Sequence, residues 1–191
     1  NVDKATDDGF TALRVACISG HLGCVQLLSS YGARRTFPLT APNDTAEHIA
    51  TDLGHADIAA WLATSSDWST ALHHAASRQC EAFVTPARAT GLLRGGADIY
   101  AVARPGGPTP HSLAQGAEAM GGAKEGTAAF LILEAAKPWS RQTHKLFPAP
   151  ARARAVELML IGELLSREER FAAYGPQAVV DAWMTFVVPG A

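Results

Sequence analysis

The chain has 191 residues, 48% of them hydrophobic, which is enough apolar material for a continuous core and excludes a disordered tail. A formal net charge of -2, from 16 basic and 18 acidic residues, provides no field that would attract nucleic acid or acidic lipid. The acidic residues are concentrated on the N-terminal side, because residues 1–70 carry 8 acidic and 4 basic side chains whereas residues 71–191 carry 10 and 12.

A repeat is visible in the first part of the chain. The hexamer TALRVA at residues 11–16 aligns with TAEHIA at residues 45–50, an offset of 34 residues, and a Gly-His pair follows each at the same distance. Further units open with TALHHA at residues 70–75 and with TPHSLA at residues 109–114. A fixed period of this length is typical of helical solenoids. We expect helices to begin near Thr11, Thr45, Thr70 and Thr109.

These units resemble the ankyrin repeat, which runs Gly-x-Thr-Pro-Leu-His-x-Ala, then Gly-His, Leu-Leu and Gly-Ala-Asp. The resemblance implies an all-α, ankyrin-type helical solenoid of about four degenerate units over residues 1–136. It also implies a repeat upstream of Asn1, because Asn1-Val2-Asp3 matches the end of a preceding hairpin and the chain lacks an initiator Met. The first unit matches the pattern at Gly9, Thr11, Leu13, Ala16, Gly20, His21, Val25, Leu27, Leu28, Gly32 and Ala33.

Each motif residue has a mechanical role in such a unit. The Thr hydroxyl can cap the first helix, and the small side chains of Ala16 and Ala50 let neighbouring helices approach. Gly20 and Gly54 suit a left-handed turn between the two helices. The paired leucines supply an apolar seam that only a stacked neighbour can bury.

Several positions depart from the family pattern. Glu47 and His111 replace a buried Leu, and Arg14 replaces the motif His, so we expect the second and fourth units to be loosely packed or locally distorted. About six extra residues separate the helices of the third unit, at Gln79–Val84, after which Thr85-Pro86 is suited to start the outer helix. A similar delay at Gly116–Gly126 is rich in Gly and Ala, and we expect it to be mobile.

The C-terminal part, residues 137–191, loses the repeat but keeps helical patterning. Pro150 is placed to open a helix with apolar residues on most sides, which predicts a buried helical cap on the last repeat. On that basis Leu160→Asp should cost more than about 3 kcal/mol of stability. A capping box and a Gly-Pro break predict two further helices, at Ser166, Glu169, Gly175 and Pro176.

Catalytic and metal-binding motifs are missing from the sequence. His73, His74 and Cys80 form the one close His/Cys grouping, but their spacing fits no zinc pattern, and the resemblance gives His73 a structural role between adjacent hairpins. No nucleophile elbow or phosphate loop is present, and the four Trp residues are scattered over separate elements. We expect no enzymatic activity, no cofactor and no metal.

The cysteines and the absence of targeting segments indicate a compartment. The chain has three cysteines, Cys17, Cys24 and Cys80, and their spacing matches no metal site. An odd number without such a spacing predicts reduced thiols in an intracellular protein, cytoplasmic or nuclear. No run approaches the roughly 20 apolar residues that span a membrane, and the first residues do not resemble a signal peptide. The expected partner is another protein, with no role for nucleic acid or a membrane.

The resemblance implies that partners bind a concave face made of hairpin tips and first helices. Phe10 is the candidate anchor, since an aromatic side chain at a hairpin tip can enter a partner pocket; the alternative is that it packs on the preceding repeat. The chain is then a protein-interaction scaffold, or else a substrate adaptor whose C-terminal helices recruit machinery such as a ubiquitin ligase. Candidate contact residues, carried over by motif position, are Asp7, Asp8, Phe10, Ile18, Ser19, Asp44, Asp52, Leu53, Ser69, Ser77 and Arg78.

Overall fold

The computed structural model describes residues 1–37, 44–137, 139–140, 142–166 and 178. Over these ranges the chain is helical and contains no β-strand, only isolated bridges from Ala5 to Thr11 and from Thr36 to Thr45 at the hairpins. The prediction of an all-α helical solenoid is confirmed. The α-helices of this part of the chain are α1 (Ala12–Ile18), α2 (Leu22–Ser30), α3 (Ala46–Asp52), α4 (Ala56–Thr64), α5 (Ala71–Ala76), α6 (Pro86–Arg94), α7 (Pro110–Ala119), α8 (Ala128–Ala135) and α9 (Ala149–Ser166).

Threonine side chains set the starts of the first helices, as predicted. The Thr11 hydroxyl accepts a hydrogen bond from the backbone N–H of Arg14 at 3.2 Å, and Thr109 accepts one from Ser112 at 2.9 Å. Thr45 and Thr70 occupy the same N-cap position in α3 and α5. At Thr11, Thr45 and Thr109 the hydroxyl pairs a backbone N–H that the first helical turn would otherwise leave without a partner, whereas the Thr70 hydroxyl contacts Nδ1 of His73.

Gly20 ends the first helix for two physical reasons. Its φ of +73° lies in the left-handed region that side chains disfavour. A Cβ atom at this position would also lie 2.7 Å from the imidazole of His55, whose Nε2 is 3.1 Å from the carbonyl oxygen of Ile18. The glycine therefore allows a histidine from the second unit to reach the end of α1.

The helix pairs stack in two matching sets. Helix α1 packs on α3 and α2 on α4, and in the same way α5 packs on α7 and α6 on α8. The first two pairs meet the last two through α5, which packs against α2, an outer helix of the first unit. The third unit is therefore anchored to the outer row of helices.

The predicted insertion in the third unit accounts for this junction. A 3-10 helix at Arg78–Cys80 and the turn after it fill the gap, with Cys80 and Val84 buried, and α6 then begins at Pro86 as predicted. Phe83 from the insertion lies against α2, where a Cβ at Gly23 would be 3.0 Å from its ring.

Arg88 of α6 fastens the junction. Its guanidinium donates to the Ser30 hydroxyl at 2.9 Å and to the Ser30 carbonyl oxygen at 2.7 Å, and it lies 3.7 Å from the centre of the Tyr31 ring. A guanidinium that satisfies the end of a helix and stacks on an aromatic ring makes a directional contact. The third unit is thereby tied to the C-terminal end of α2.

The loosening expected at Glu47 does not occur. Its carboxylate stays at the surface and pairs with Arg35 at 3.7 Å, while Ala46 and Ala50 on the same helix are fully buried. Arg35 also donates to the Leu62 carbonyl oxygen at 2.9 Å and to the Ser65 hydroxyl at 2.8 Å, so it caps the end of α4. An ion pair thus replaces the missing Leu without opening the unit.

The fourth unit differs from the expectation in the length of its first helix. Helix α7 continues through Gly116 to Ala119, so the predicted loop over Gly116–Gly126 begins too early. The chain turns later, at Gly121 and Gly126, where φ is +71° and +89°. The ring of His111, which replaces a family Leu, is half-buried and lies 5.3 Å from that of Tyr100.

The C-terminal segment begins with a short connection from the last repeat. A 3-10 helix at His144–Leu146 buries Leu146, and the Lys145 carbonyl oxygen accepts a hydrogen bond from Arg94 Nε at 2.8 Å. Helix α9 then starts at Ala149, as Pro150 predicted. Helix α9 runs through Ser166, so Ser166 does not start a new helix, and the two further predicted helices lie outside the described residues.

The prediction that α9 buries Leu160 is wrong. Ala155 and Leu158 form the buried face, with Leu158 9% exposed, whereas Leu160 is 60% exposed. Two residues along a helix correspond to about 200° of rotation, so Leu158 and Leu160 point to nearly opposite sides. Because apolar residues cover most of α9, the sequence pattern could not select the docked face.

We predict that Leu158→Asp and Leu160→Asp differ sharply in stability. Leu158→Asp places an unpaired charge in a buried contact and should lower the free energy of unfolding by more than about 2 kcal/mol. Leu160→Asp changes an exposed position and should cost less than about 0.5 kcal/mol. Urea unfolding followed by circular dichroism measures both; equal midpoints for the two variants would contradict the assigned face.

Candidate partner-binding face

Helices α1 and α3 pack side by side and form the centre of the candidate face. On α1 the buried side consists of Leu13, Ala16 and Cys17, while Val15 and Ile18 point away from the core. Residues three apart on a helix share one side, so Val15 and Ile18 form a single apolar ridge. The repeat offset of 34 residues places Leu53 beside this ridge, at the position that Ser19 occupies in the first unit.

The face exposes four large apolar side chains over two adjacent units. Exposure is 36% for Phe10, 47% for Val15, 38% for Ile18 and 51% for Leu53. Each belongs to a hairpin or a first helix, and together they extend from the hairpin before α1 to the end of α3. Contiguous exposed apolar side chains rimmed by polar residues are typical of interaction surfaces.

Phe10 is partly packed, which lies between the two alternatives of an exposed anchor and a ring buried on the preceding repeat. The guanidinium of Arg14 lies 4.4 Å from the centre of its ring, and Arg14 Nη2 pairs with Asp44 Oδ2 at 2.9 Å. The Asp44 side chain is 11% exposed, so this predicted contact residue is engaged mainly within the stack. Asp44 thereby orients the arginine on which Phe10 rests.

The other predicted contact residues fall into two groups. Asp7, Asp8, Ser19 and Asp52 are exposed and belong to the first two units, which α1 and α3 bring together. The predicted contact residues of the third unit lie around α5, which packs on α2, and they differ in exposure. Ser69 and Arg78 are exposed, whereas Ser77 is half-buried and its hydroxyl accepts a hydrogen bond from the backbone N–H of Gln79. The packing of α1 on α3 therefore brings the units of the first group side by side, while the residues of the second group belong to a unit whose first helix packs on α2.

Sequence reasoning missed Val15 and the role of Arg14. Val15 occupies a variable motif position, but its spacing of three from Ile18 could have identified it. The signal for Arg14 was its replacement of the motif His. No spacing in the sequence, however, relates it to Asp44, whose carboxylate comes from the next hairpin 30 residues later.

His73 ties two hairpins together, as the family position implied. Its Nδ1 is 2.8 Å from the Thr70 hydroxyl oxygen and its Nε2 is 3.1 Å from the Pro108 carbonyl oxygen. Both ring nitrogens are used, and burial lowers the pKa of the imidazole despite these backbone hydrogen bonds. The ring is a structural link between the third and fourth units.

His74 and Cys80 are likewise placed in the core. His74 lies in an aromatic cluster with Trp61 and Trp68, at ring-centre distances of 6.0 and 5.2 Å, so two of the tryptophans expected to be scattered are in contact. Burial raises the pKa of the Cys80 thiol to about 11, which keeps it protonated. Within the described ranges no group of three His, Cys, Asp or Glu side chains could hold a metal ion.

The geometry defines a class of protein: a stack of capped helix pairs with hairpin tips and an exposed first-helix face. A family model described as ankyrin repeats (3 copies) matches residues 1–69, which contain α1–α4. The match supports an ankyrin-repeat protein over these residues. Beyond them, α5–α8 repeat the same pairing of helices.

Ankyrin repeats generally mediate protein–protein interaction, and the family is typically non-catalytic. A search of curated proteins and a search of solved structures each found no match to the chain. In the described part of the chain no helix is both long enough and apolar enough to cross a membrane.

We predict that His74 makes the protein acid-sensitive. Burial, and then the charge of Arg35, lower its pKa from about 6.5 to about 3, and its Nδ1 has no hydrogen-bond partner among the described residues. The unfolded chain takes up a proton below about pH 6.5 and the folded chain does not, so stability is complete above that pH and falls between about pH 6.5 and 3.

The test is His74→Phe, which keeps an aromatic ring in the cluster. We expect its free energy of unfolding to fall less than that of the wild type between pH 7 and about pH 4, by urea unfolding at each pH. His48→Phe is the control, because the His48 side chain is 58% exposed and pairs with Asp52 at the surface. Equal pH dependence in the wild type and His74→Phe would exclude this role.

Proposed function

We propose that the chain is a protein-interaction scaffold that binds a partner through the α1/α3 face. The observation that supports this most is the row of four exposed apolar side chains, Phe10, Val15, Ile18 and Leu53, on two adjacent units. In a folded stack such side chains have no role in the core, and desolvating them against a partner is favourable. As part of the same proposal, residues 1–136 form the repeat stack of about four degenerate units and residues 137–191 a helical C-terminal cap.

Leu53 and Phe10 are the proposed anchors. Leu53 is the C-cap residue of α3 and exposes about half of its side chain, while Phe10 presents a ring already oriented by Arg14. A side chain held in place before binding loses less conformational entropy in the complex. The exposed polar candidates Asp7, Asp8, Ser19 and Asp52 then surround these anchors.

Affinity capture with matched leucine variants tests the face. Leu53→Ser should weaken capture of partner proteins at least about 10-fold, because buried apolar anchors carry most of an interface's binding energy. Leu27→Ser is the control, since Leu27 is 37% exposed on the outer helix α2, and it should leave capture unchanged. Equal loss in both variants, or loss in neither, argues against the α1/α3 face.

The adaptor is the second candidate function, and one observation favours it. Helix α9 buries Ala155 and Leu158 against the rest of the chain but exposes Val156, Leu160, Ile161 and Leu164 on the other side, with Leu164 63% exposed. A helix that caps a stack needs only its docked face to be apolar. A second apolar face on α9 supports recruitment of another protein, for example a component of a ubiquitin ligase.

The combined variant Leu160→Ser/Leu164→Ser distinguishes an adaptor from a plain scaffold. For an adaptor, quantitative mass spectrometry of captured proteins should show the loss of one set of partners while those lost in Leu53→Ser remain. The reciprocal loss in Leu53→Ser would complete the evidence for two independent surfaces. If the α9 variant captures the same proteins as the wild type, the α9 face has no recruitment role.

A further inference from the structure

We infer that the α1/α3 face binds a partner segment in which Lys or Arg side chains flank large apolar side chains. The inference rests on the proposed function and specifies the chemistry of its partner. It follows from the way in which charges are distributed between the inside and the outside of the first two units.

Two of the four basic side chains of this region, Arg14 and Arg35, are turned inward, whereas Lys4 is exposed and the exposed Arg34 pairs with Asp3. Arg14 pairs with Asp44 and Arg35 with Glu47, and the two arginine side chains are 14% and 19% exposed. Both guanidiniums also lie over aromatic rings, that of Arg14 over Phe10 and that of Arg35 over Trp61. These cations therefore stabilise the stack and contribute little positive charge to its surface.

The acidic side chains at both ends of the apolar row are turned outward. Asp7 and Asp8 are exposed at the hairpin that precedes α1, and neither forms an ion pair within the described ranges. Asp52 is 60% exposed beside Leu53, and its nearby His48 is charged only when protonated. Exposed negative charge thus lies at each end of a row of exposed apolar side chains.

The spacing fits a short segment of a partner protein. The two acidic ends lie on neighbouring units: α1 spans roughly 10 Å along its axis, at about 1.5 Å per residue, and α3 packs beside it at an interaxial distance of about 8–10 Å. Lysine and arginine can lay their aliphatic stems on apolar surface while the charged group reaches a carboxylate at the edge. Acidic partners are disfavoured on the same face because like charges would meet there.

Selection of displayed peptides against the full chain tests the inference. From a random library of 16-residue peptides, we expect enriched sequences with at least two Lys or Arg residues beside Leu, Ile, Phe or Trp. A synthetic copy of an enriched peptide should lose at least about 5-fold in affinity when Asp7→Asn/Asp8→Asn replaces the wild type. Its affinity for the wild type should also fall as NaCl is raised from 50 to about 300 mM.

The control for charge is Glu118→Gln/Glu125→Gln, which removes two exposed carboxylates from the fourth unit and should leave affinity unchanged. The inference is overturned, and the proposed face remains, if the selected peptides require Leu53 but lack basic residues. The same conclusion follows if peptide affinity changes neither with salt nor with Asp7→Asn/Asp8→Asn. Peptides that bind equally well to Leu53→Ser and to Asp7→Asn/Asp8→Asn, or a selection that yields none, overturn both. Thermal melting verifies that each variant is folded.

Discussion

The structure depends on burial of an apolar seam that no single unit can cover by itself. Leu13, Ile58, Leu62 and Leu72 are almost fully buried, and each belongs to a helix that packs against a helix of another unit. Removing one unit exposes the seam of its neighbour, so the stability of each unit is inseparable from its contacts. This constraint fixes the inner sides of the helices and leaves the outer sides and hairpin tips free to vary.

Polar contacts between units determine how the units are oriented relative to one another. His73 joins two hairpins through Thr70 and Pro108, and Arg35 reaches from a hairpin to the end of α4. A buried polar group that lacks a partner is costly, so these side chains tolerate only a narrow range of relative positions for the units they connect. The apolar seam holds the units together, and the polar contacts set how they are arranged.

The elements that sequence predicted well are those determined by a few neighbouring residues. A threonine hydroxyl caps its own helix, as at Thr109, and a glycine such as Gly20 permits its own turn, so local patterns located all four first helices. Contacts between distant residues were less accessible. The pairing of Arg14 with Asp44 and the aromatic contact of Trp61 with His74 depend on how units stack, and the docked side of α9 depends on a neighbour that its uniform apolar pattern does not specify. On the candidate face, motif position identified Phe10, Ile18 and Leu53, whereas Val15 was missed although it also occupies a variable position of the motif.

The junction between α5 and α2 has a consequence for cooperativity. In a linear array each interface couples the folding of its two neighbours, and unfolding that starts at one end propagates as far as the first weakly coupled boundary. Here the regular stacking of both helices is interrupted between the second and third units. The cluster of Trp61, Trp68 and His74 joins these two units, while α5, Arg88 and Phe83 contact α2 of the first unit. We expect the first two units and the last two to behave as separate foldons in hydrogen exchange, so that the end carrying α9 can open while the α1/α3 face stays folded.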